Sequence, residues 1–179
     1  MEEYLIYAGT DLRNRPNIEI GKGVVIQRDV WIDARGKVII GEGSNIGRRC
    51  VLGSGKLVEI GKKVLLGPGT YINDMDHAYQ DITRPIMDQG ITNPRPIKIG
   101  DGSWTGINSV VRASMGKNCV LGANSVLTHD LPDYCMAAGQ PAIIRKQYDP
   151  KTKKWKSLNW TNRIGLLRKV KKLFHQLLH

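Results

Sequence analysis

Aliphatic residues recur along the chain at a nearly constant spacing. Most steps are six residues long, and two steps of eight, from Ile32 to Ile40 and from Leu52 to Ile60, fall at the same point of successive turns. The recurring positions are Ile20, Ile26, Ile32, Ile40, Ile46, Leu52, Ile60, Leu66, Ile72, Ile99, Thr105, Val111, Met115, Leu121 and Leu127. A fixed period of this kind is typical of a solenoid, here with coils of about twenty residues.

A second series, of small or β-branched residues such as Val24, Val30 and Cys50, lies two positions before the first. Residues two apart in a strand point to the same face of a sheet. We therefore predict an all-β solenoid in which each six-residue block forms one side of a triangular prism. Glycines after the aliphatic residues, as at Gly41, permit the backbone angles of a tight corner. A β-sandwich of short strands is the alternative, and the near-constant register of fifteen blocks disfavours it.

The repeat stops after Ile72 and resumes near Ile97, so we predict an extended loop at about residues 73–96. Insertions in a solenoid usually form a loop on one face, and that face often binds a ligand. His77, the first histidine of the chain, lies in this loop among acidic and aromatic residues. The loop is therefore the first candidate for a functional site.

Charge is distributed unevenly along the chain. Residues 1–144 carry 16 Lys and Arg against 15 Asp and Glu, whereas residues 145–179 carry 11 against one. The net charge of +11 therefore describes a basic tail and predicts no nucleic-acid binding by the body. We predict two parts, a β-helix domain of residues 1–146 and a basic C-terminal extension of residues 147–179.

The extension ends in a predicted amphipathic α-helix, because from about Thr161 the apolar residues follow a helical period. Its apolar face suits either packing against the rest of the protein or a peripheral contact with anionic membranes. No apolar stretch approaches the ~20 residues of a membrane span, and Met1 to Tyr4 lack the basic start of a signal peptide. The expected location is cytoplasmic, and a membrane contact of the extension would be peripheral, at the inner face of the membrane.

The cysteines Cys50, Cys119 and Cys135 are odd in number and widely spaced, which disfavours disulfides and a zinc site. The register turns Cys50 and Cys119 inward, so neither suits a nucleophile. A γ-class carbonic anhydrase is an alternative because it is built from similar coils, but it binds zinc through three histidines. The body of this chain offers only His77 and His129, so no metal site is predicted.

Residues 18–146 resemble the hexapeptide-repeat acyltransferases, which form a left-handed parallel β-helix. Within the superfamily they are most similar to sugar and polysaccharide O-acetyltransferases related to the maltose, galactoside and xenobiotic acetyltransferases. The stretches that carry the resemblance are residues 74–81, 99–106, 127–132 and 138–142. The resemblance implies acetyl-CoA as the acyl donor, a sugar-containing acceptor and a homotrimer.

The same resemblance implies roles for the loop residues. His77 matches the general base, and Asp74 and Tyr79 match the pattern around it, although Met75 stands where many relatives have a further histidine. A sugar hydroxyl has a very high pKa, so a base must take its proton as it attacks the thioester. Asp74, Asp76 and Tyr79 are the expected contacts to the acceptor.

Six further residues match the donor side of the family. Trp104 is expected to flank the pantetheine arm of CoA, and Gly106 and Ala123 to present backbone groups to it. Thr128, His129 and Arg145 match positions near the nucleotide end, where relatives often have lysine in place of His129.

The sequence leaves the acceptor open. The first hypothesis is O-acetylation of a sugar hydroxyl in cell-surface polysaccharide or lipopolysaccharide biosynthesis. The alternatives are N-acetylation of an amino sugar nucleotide, O-acetylation of a xenobiotic, and a catalytically inactive hexapeptide scaffold.

Overall fold

The computed structural model describes residues 4–158. They form a left-handed parallel β-helix with very little helix. In chain order the strands are β1 (Leu5–Ile6), β2 (Asp11–Arg13), β3 (Ile18–Ile20), β4 (Val25–Ile26), β5 (Trp31–Ala34), β6 (Lys37–Ile40), β7 (Asn45–Ile46), β8 (Val51–Ser54), β9 (Leu57–Ile60), β10 (Leu65–Leu66), β11 (Tyr71–Asn73), β12 (Ile97–Ile99), β13 (Trp104–Thr105), β14 (Val110–Val111), β15 (Val120–Leu121), β16 (Val126–Leu127), β17 (Cys135–Gly139), β18 (Ala142–Asp149) and β19 (Lys154–Ser157). Two short 3₁₀ helices, Arg15–Asn17 and Ile86–Asp88, complete the elements.

Three sheets form the sides of the prism. Sheet A has the order β1-β4-β7-β10-β13-β15-β17-β18-β19, sheet B has β16-β14-β11-β8-β5-β2, and sheet C has β12-β9-β6-β3. The pairing aligns the recurring aliphatic residues, with Ile26 beside Ile46 and Ile46 beside Leu66. The predicted solenoid and its register are therefore confirmed.

Later coils are shorter than the first ones. Ile40 pairs with Ile60, twenty positions on, whereas Ile99 bridges to Met115 and Met115 to Leu131, sixteen positions on each time. In this region the third side consists of isolated bridges and the first two sides keep their two-residue strands. The estimate of about twenty residues per coil therefore holds only for the coils before the loop.

The small residues of the second series satisfy corner carbonyls inside the prism. The Thr70 hydroxyl donates to the Gly67 carbonyl at 2.8 Å, and the Ser109 hydroxyl donates to the Gly106 carbonyl at 2.7 Å. Both side chains are buried. Since a buried polar group without a partner costs free energy, these short hydroxyls allow a tight corner to lie within an apolar core.

Glycine is required where coils stack at their corners. A Cβ on Gly67 would lie 2.5 Å from the Thr105 carbonyl oxygen of the next coil, and one on Gly106 would lie 2.4 Å from the Ala123 amide nitrogen. Gly106 therefore has a structural reason to be glycine, independent of any ligand.

The C-terminal end of the described chain turns back on sheet A. Strand β18 pairs antiparallel with β17, and β19 pairs antiparallel with β18. Strand β18 runs through residue 146, so the domain boundary predicted there lies within a strand and stays a prediction. The predicted amphipathic helix lies outside the described residues. Within residues 4–158, no helix is long and apolar enough to cross a membrane.

Adjacent leucines of β10 provide a test of the core. Leu66 is fully buried and Leu65 is 46% exposed. Leu66→Ala is expected to lower the free energy of unfolding by about 3 kcal/mol, because it removes buried methyl groups and leaves a cavity. Leu65→Ala, the matched control, should lower it by less than about 1 kcal/mol. Urea unfolding monitored by circular dichroism measures both, and equal losses would contradict the register.

Candidate active site

The loop between β11 and β12 is a hairpin. His77 forms an antiparallel bridge with Ile91. The Ala78 amide donates to the Gly90 carbonyl at 3.1 Å, and the Thr92 amide donates to the Asp76 carbonyl at 2.8 Å. These pairs place His77 on a defined strand of the loop. The residue is exposed, and its ring makes no hydrogen bond or ion pair with any residue of 4–158.

Asp74 holds the start of this loop to the preceding coil. Its carboxylate accepts hydrogen bonds from the backbone amides of Gly55, Lys56 and Leu57 at 2.6, 3.0 and 2.8 Å. The residue is only 6% exposed. Three backbone donors occupy a carboxylate that the sequence assigned to the acceptor. The structure therefore gives Asp74 a structural use, and its predicted substrate contact stays a prediction.

Arg112 pins the segment just before His77. Its guanidinium donates to the carbonyls of Asn73 and Met75, the latter at 3.0 Å, and to the Asp76 carboxylate. Arg112 follows β14, and Val111 of that strand pairs with Ile72 of β11. The arginine therefore reaches the loop from the adjacent coil. Asp76 is the predicted acceptor contact that this ion pair orients.

The outer part of the hairpin is apolar and exposed. Tyr79, a predicted acceptor contact, is 64% exposed, and Ile82 and Met87 near the tip are 96% and 89% exposed. Within the hairpin the Gln89 side chain donates to the Asp81 carbonyl at 2.7 Å. An ordered loop with so much exposed apolar surface is suited to contact with another molecule.

A groove of about 640 Å³ runs along the corner between sheets A and B. Three predicted donor-side residues, Trp104, Gly106 and Ala123, line it together. The remaining lining residues come from successive coils and are Gln27, Asn45, Gly47, Arg48, Leu65, Leu66, Gly67, Pro68, Ile107, Leu121 and Gly122. Trp104 lies between Leu65 and Val120 in sheet A with its ring half exposed, as its outward register position predicted.

The other three donor-side residues lie beyond this groove. Thr128 and His129 are exposed after β16, with the Thr128 hydroxyl 2.9 Å from His129 Nδ1. Arg145 is exposed on β18. Their predicted contacts to the nucleotide end of CoA stay predictions.

Within one chain, His77 and the groove lie at different corners of the prism. The groove follows the corner between sheets A and B, where Gly67 and Gly106 stack. The His77 loop leaves from the other end of sheet B, between β11 and the return to sheet C at β12. The structure thus groups the predicted donor contacts Trp104, Gly106 and Ala123, and it groups the loop residues separately.

Buried thiols are not available for chemistry. Burial raises the pKa of Cys50 and Cys119 to about 11 and that of Cys135 to about 12. All three are free and buried. At neutral pH they are protonated, so an acyl-cysteine intermediate is disfavoured. Within residues 4–158, no group of three His, Cys, Asp or Glu side chains is arranged to hold a metal ion.

Comparison with known proteins identifies the family. The hexapeptide repeat of succinyl-transferase matches residues 37–74 and 96–129. A Mycobacterium tuberculosis protein named as an acetyltransferase is 38% identical over 77% of this chain, and the chain spans about half of that relative's length, 48%. An Escherichia coli protein named as a lipopolysaccharide biosynthesis O-acetyl transferase is 27% identical over 80% of this chain and 79% of its own length.

The structural comparison agrees. A hexapeptide-repeat acetyltransferase from Vibrio cholerae, solved with acetyl coenzyme A, has a TM-score of 0.68 and 28% identity, covering 75% of this chain and 74% of its own. The repeat, the β-helix and these relatives together show that the chain belongs to the hexapeptide-repeat acyltransferase family.

Sequence reasoning missed Arg112 and the structural use of Asp74. The register could have indicated Arg112. Val111 pairs with Ile72, so the next residue, Arg112, lies beside Asn73 in the following coil. Nothing in the spacing indicated that the Asp74 carboxylate turns back toward residues 55–57.

Arg112→Ala is expected to loosen the His77 hairpin while leaving the prism folded, because it removes the donor to two carbonyls and one carboxylate. Hydrogen exchange at the amides of Ala78 and Thr92 should become at least about tenfold faster. Arg13→Ala, which removes the partner of Asp11 in the first coil, is the control and should leave these amides unchanged. Unchanged exchange in Arg112→Ala would refute the anchoring role.

Proposed function

We propose that this protein is an acetyl-CoA-dependent O-acetyltransferase that acts on a sugar hydroxyl in polysaccharide or lipopolysaccharide biosynthesis. The observation that carries the proposal is the combination of an ordered, accessible His77 with a groove that contains Trp104, Gly106 and Ala123. Family membership supports acyl transfer, and the E. coli relative's name supports the O-acetyl and lipopolysaccharide assignments.

The proposed reaction is direct transfer. His77 accepts the proton of the acceptor hydroxyl as the hydroxyl oxygen attacks the thioester carbonyl carbon. The new C–O bond forms, the C–S bond breaks, and the proton passes from the imidazolium to the leaving thiolate. Tyr79 and Asp76 hold the acceptor beside His77, whereas Asp74 and Arg112 hold the loop in position.

The groove fits the proposed donor. Its walls are mainly apolar, with Leu65, Trp104 and Ile107 at the surface, and the corner backbone adds polar groups. A pantetheine arm, which is an apolar chain interrupted by amides, needs these two kinds of contact. Thr128, His129 and Arg145 contact the nucleotide end in this proposal.

We further propose a homotrimer in which the His77 loop of one subunit meets the Trp104 groove of the next. The two features lie at different corners of a single prism, so one chain alone does not bring them together. The exposed apolar tip around Ile82 and Met87 supports a subunit contact, because burial of such surface favours assembly.

His77→Asn tests the base. Turnover should fall about 100-fold or more, with the affinity for CoA nearly unchanged, because the substitution removes the proton acceptor and leaves the groove intact. His129→Asn is the matched comparison and should weaken CoA binding rather than turnover. Near-normal turnover in His77→Asn would contradict the assignment of His77 as the base.

The acceptor is identified by a screen of neutral, amino and phosphorylated sugars in which the release of CoA is measured. The same screen distinguishes O-acetylation from N-acetylation.

Mixed oligomers test the shared site. His77→Ala and Trp104→Ala chains, each inactive alone, should recover about a quarter of wild-type activity when co-refolded in equal amounts, since a quarter of interfaces then combine both intact residues. Activity assays with light scattering on the same samples measure this. Recovery no greater than the sum of the separate variants, or an active monomer, would refute the arrangement.

A further inference from the structure

One end of the groove has no assigned ligand in the proposed reaction. The groove extends along the prism axis from Gln27 and Asn45 to Ala123. The proposed donor contacts Trp104, Gly106 and Ala123 come from its later coils. The earlier coils therefore offer the space beside the donor, where an acceptor must lie if the thioester carbon is to meet its hydroxyl.

Three arginines lie on the corner beside this earlier end. We call this patch the arginine end and define it as Arg28, Arg48 and Arg49. Arg48 lines the groove. Arg28 lies one coil before it at the same corner, since the Arg49 amide donates to the Arg28 carbonyl at 3.0 Å. The Arg48 carbonyl in turn accepts from the Gly69 amide at 2.9 Å. The stack thus places all three exposed side chains on one corner.

None of these guanidinium groups has an ion-pair or hydrogen-bond partner within residues 4–158. Other arginines of the prism are used internally. Arg13 pairs with Asp11, Arg35 with Asp33, and Arg112 with Asp76. The arginine end is therefore a local concentration of unneutralised positive charge beside a groove.

The neighbouring groups do not cancel this charge. Asp29 is the acid that follows Arg28 on this corner, and it makes no ion pair with a described residue. Three guanidinium groups against one carboxylate leave a positive surface. The uncharged Gln27 and Asn45 side chains of the groove add hydrogen-bond donors.

We propose that the arginine end binds a phosphate or diphosphate group of the acceptor, so that the protein acetylates a phosphorylated, nucleotide-linked or lipid-diphosphate-linked sugar rather than a neutral one. Planar guanidinium groups recognise phosphate oxygens in pairs, which favours this class of ligand. The inference rests on the proposed function, which sets the orientation of the donor in the groove. It adds the chemical class of the acceptor.

The test is binding of inorganic pyrophosphate to the full chain by calorimetry, with the donor end first saturated with CoA. The wild type should bind, and added salt should weaken the binding. The double variant Arg28→Ala/Arg48→Ala should bind at least about tenfold more weakly, because two guanidinium contacts are lost. The double variant Lys22→Ala/Lys63→Ala removes the same charge from the corner between sheets C and A and should bind like the wild type.

Three results would overturn the proposal: no pyrophosphate binding by the wild type, unchanged affinity in the arginine double variant, or an equal loss in the lysine double variant. Pyrophosphate binding is measured without turnover, so its result is independent of the His77 test. Failure of CoA itself to bind would instead count against the proposed function. Activity assays with a nucleotide-linked and a lipid-linked sugar distinguish the two sources of the diphosphate. In these assays the KM of the arginine double variant should be raised only for phosphorylated acceptors.

Discussion

Each coil of this protein can bury its inner face only against the coils before and after it. A two-residue strand such as β10 has little stability alone, and its pairing with β7 and β13 supplies both the backbone hydrogen bonds and the apolar contacts. Register is therefore the constraint on which the rest depends, because a slip of one residue would turn Leu66 outward and Leu65 inward. Small residues and glycines at the corners serve the same constraint.

The loop that carries His77 obeys this constraint too. The chain leaves the prism after Asn73 and must return at Ile97 in register with Val58 of the coil before. Asp74 ties the departing strand to residues 55–57, and Arg112 ties it to the following coil. Both contacts join neighbouring coils, so the position of His77 is determined by the stacking itself. The start of the His77 loop is thus held by the coils on both sides of it.

The sequence predicted much of this and missed specific parts for physical reasons. The aliphatic register predicted the three-sided solenoid, the loop and the outward position of Trp104, because periodicity reports directly which side chains face inward. It did not predict the hairpin within the loop, since the pairing of His77 with Ile91 has no periodic signal. The antiparallel turn of β18 and β19 was also missed. Residues 147–149 were assigned to a basic extension by charge, and charge does not report strand pairing.

The loop of residues 73–96 illustrates how this architecture accommodates variation. Ile72 and Val111 are neighbours in sheet B although 39 positions separate them in sequence, whereas Leu52 and Ile72, which are also neighbours, lie 20 positions apart. Closing a longer flexible segment costs little, about 0.6 kcal/mol for each doubling of its length. Segments of different length and composition can therefore be exchanged at this point without repacking the interior. The scaffold can thereby change the surface that it presents at this corner while its core and its groove stay unchanged.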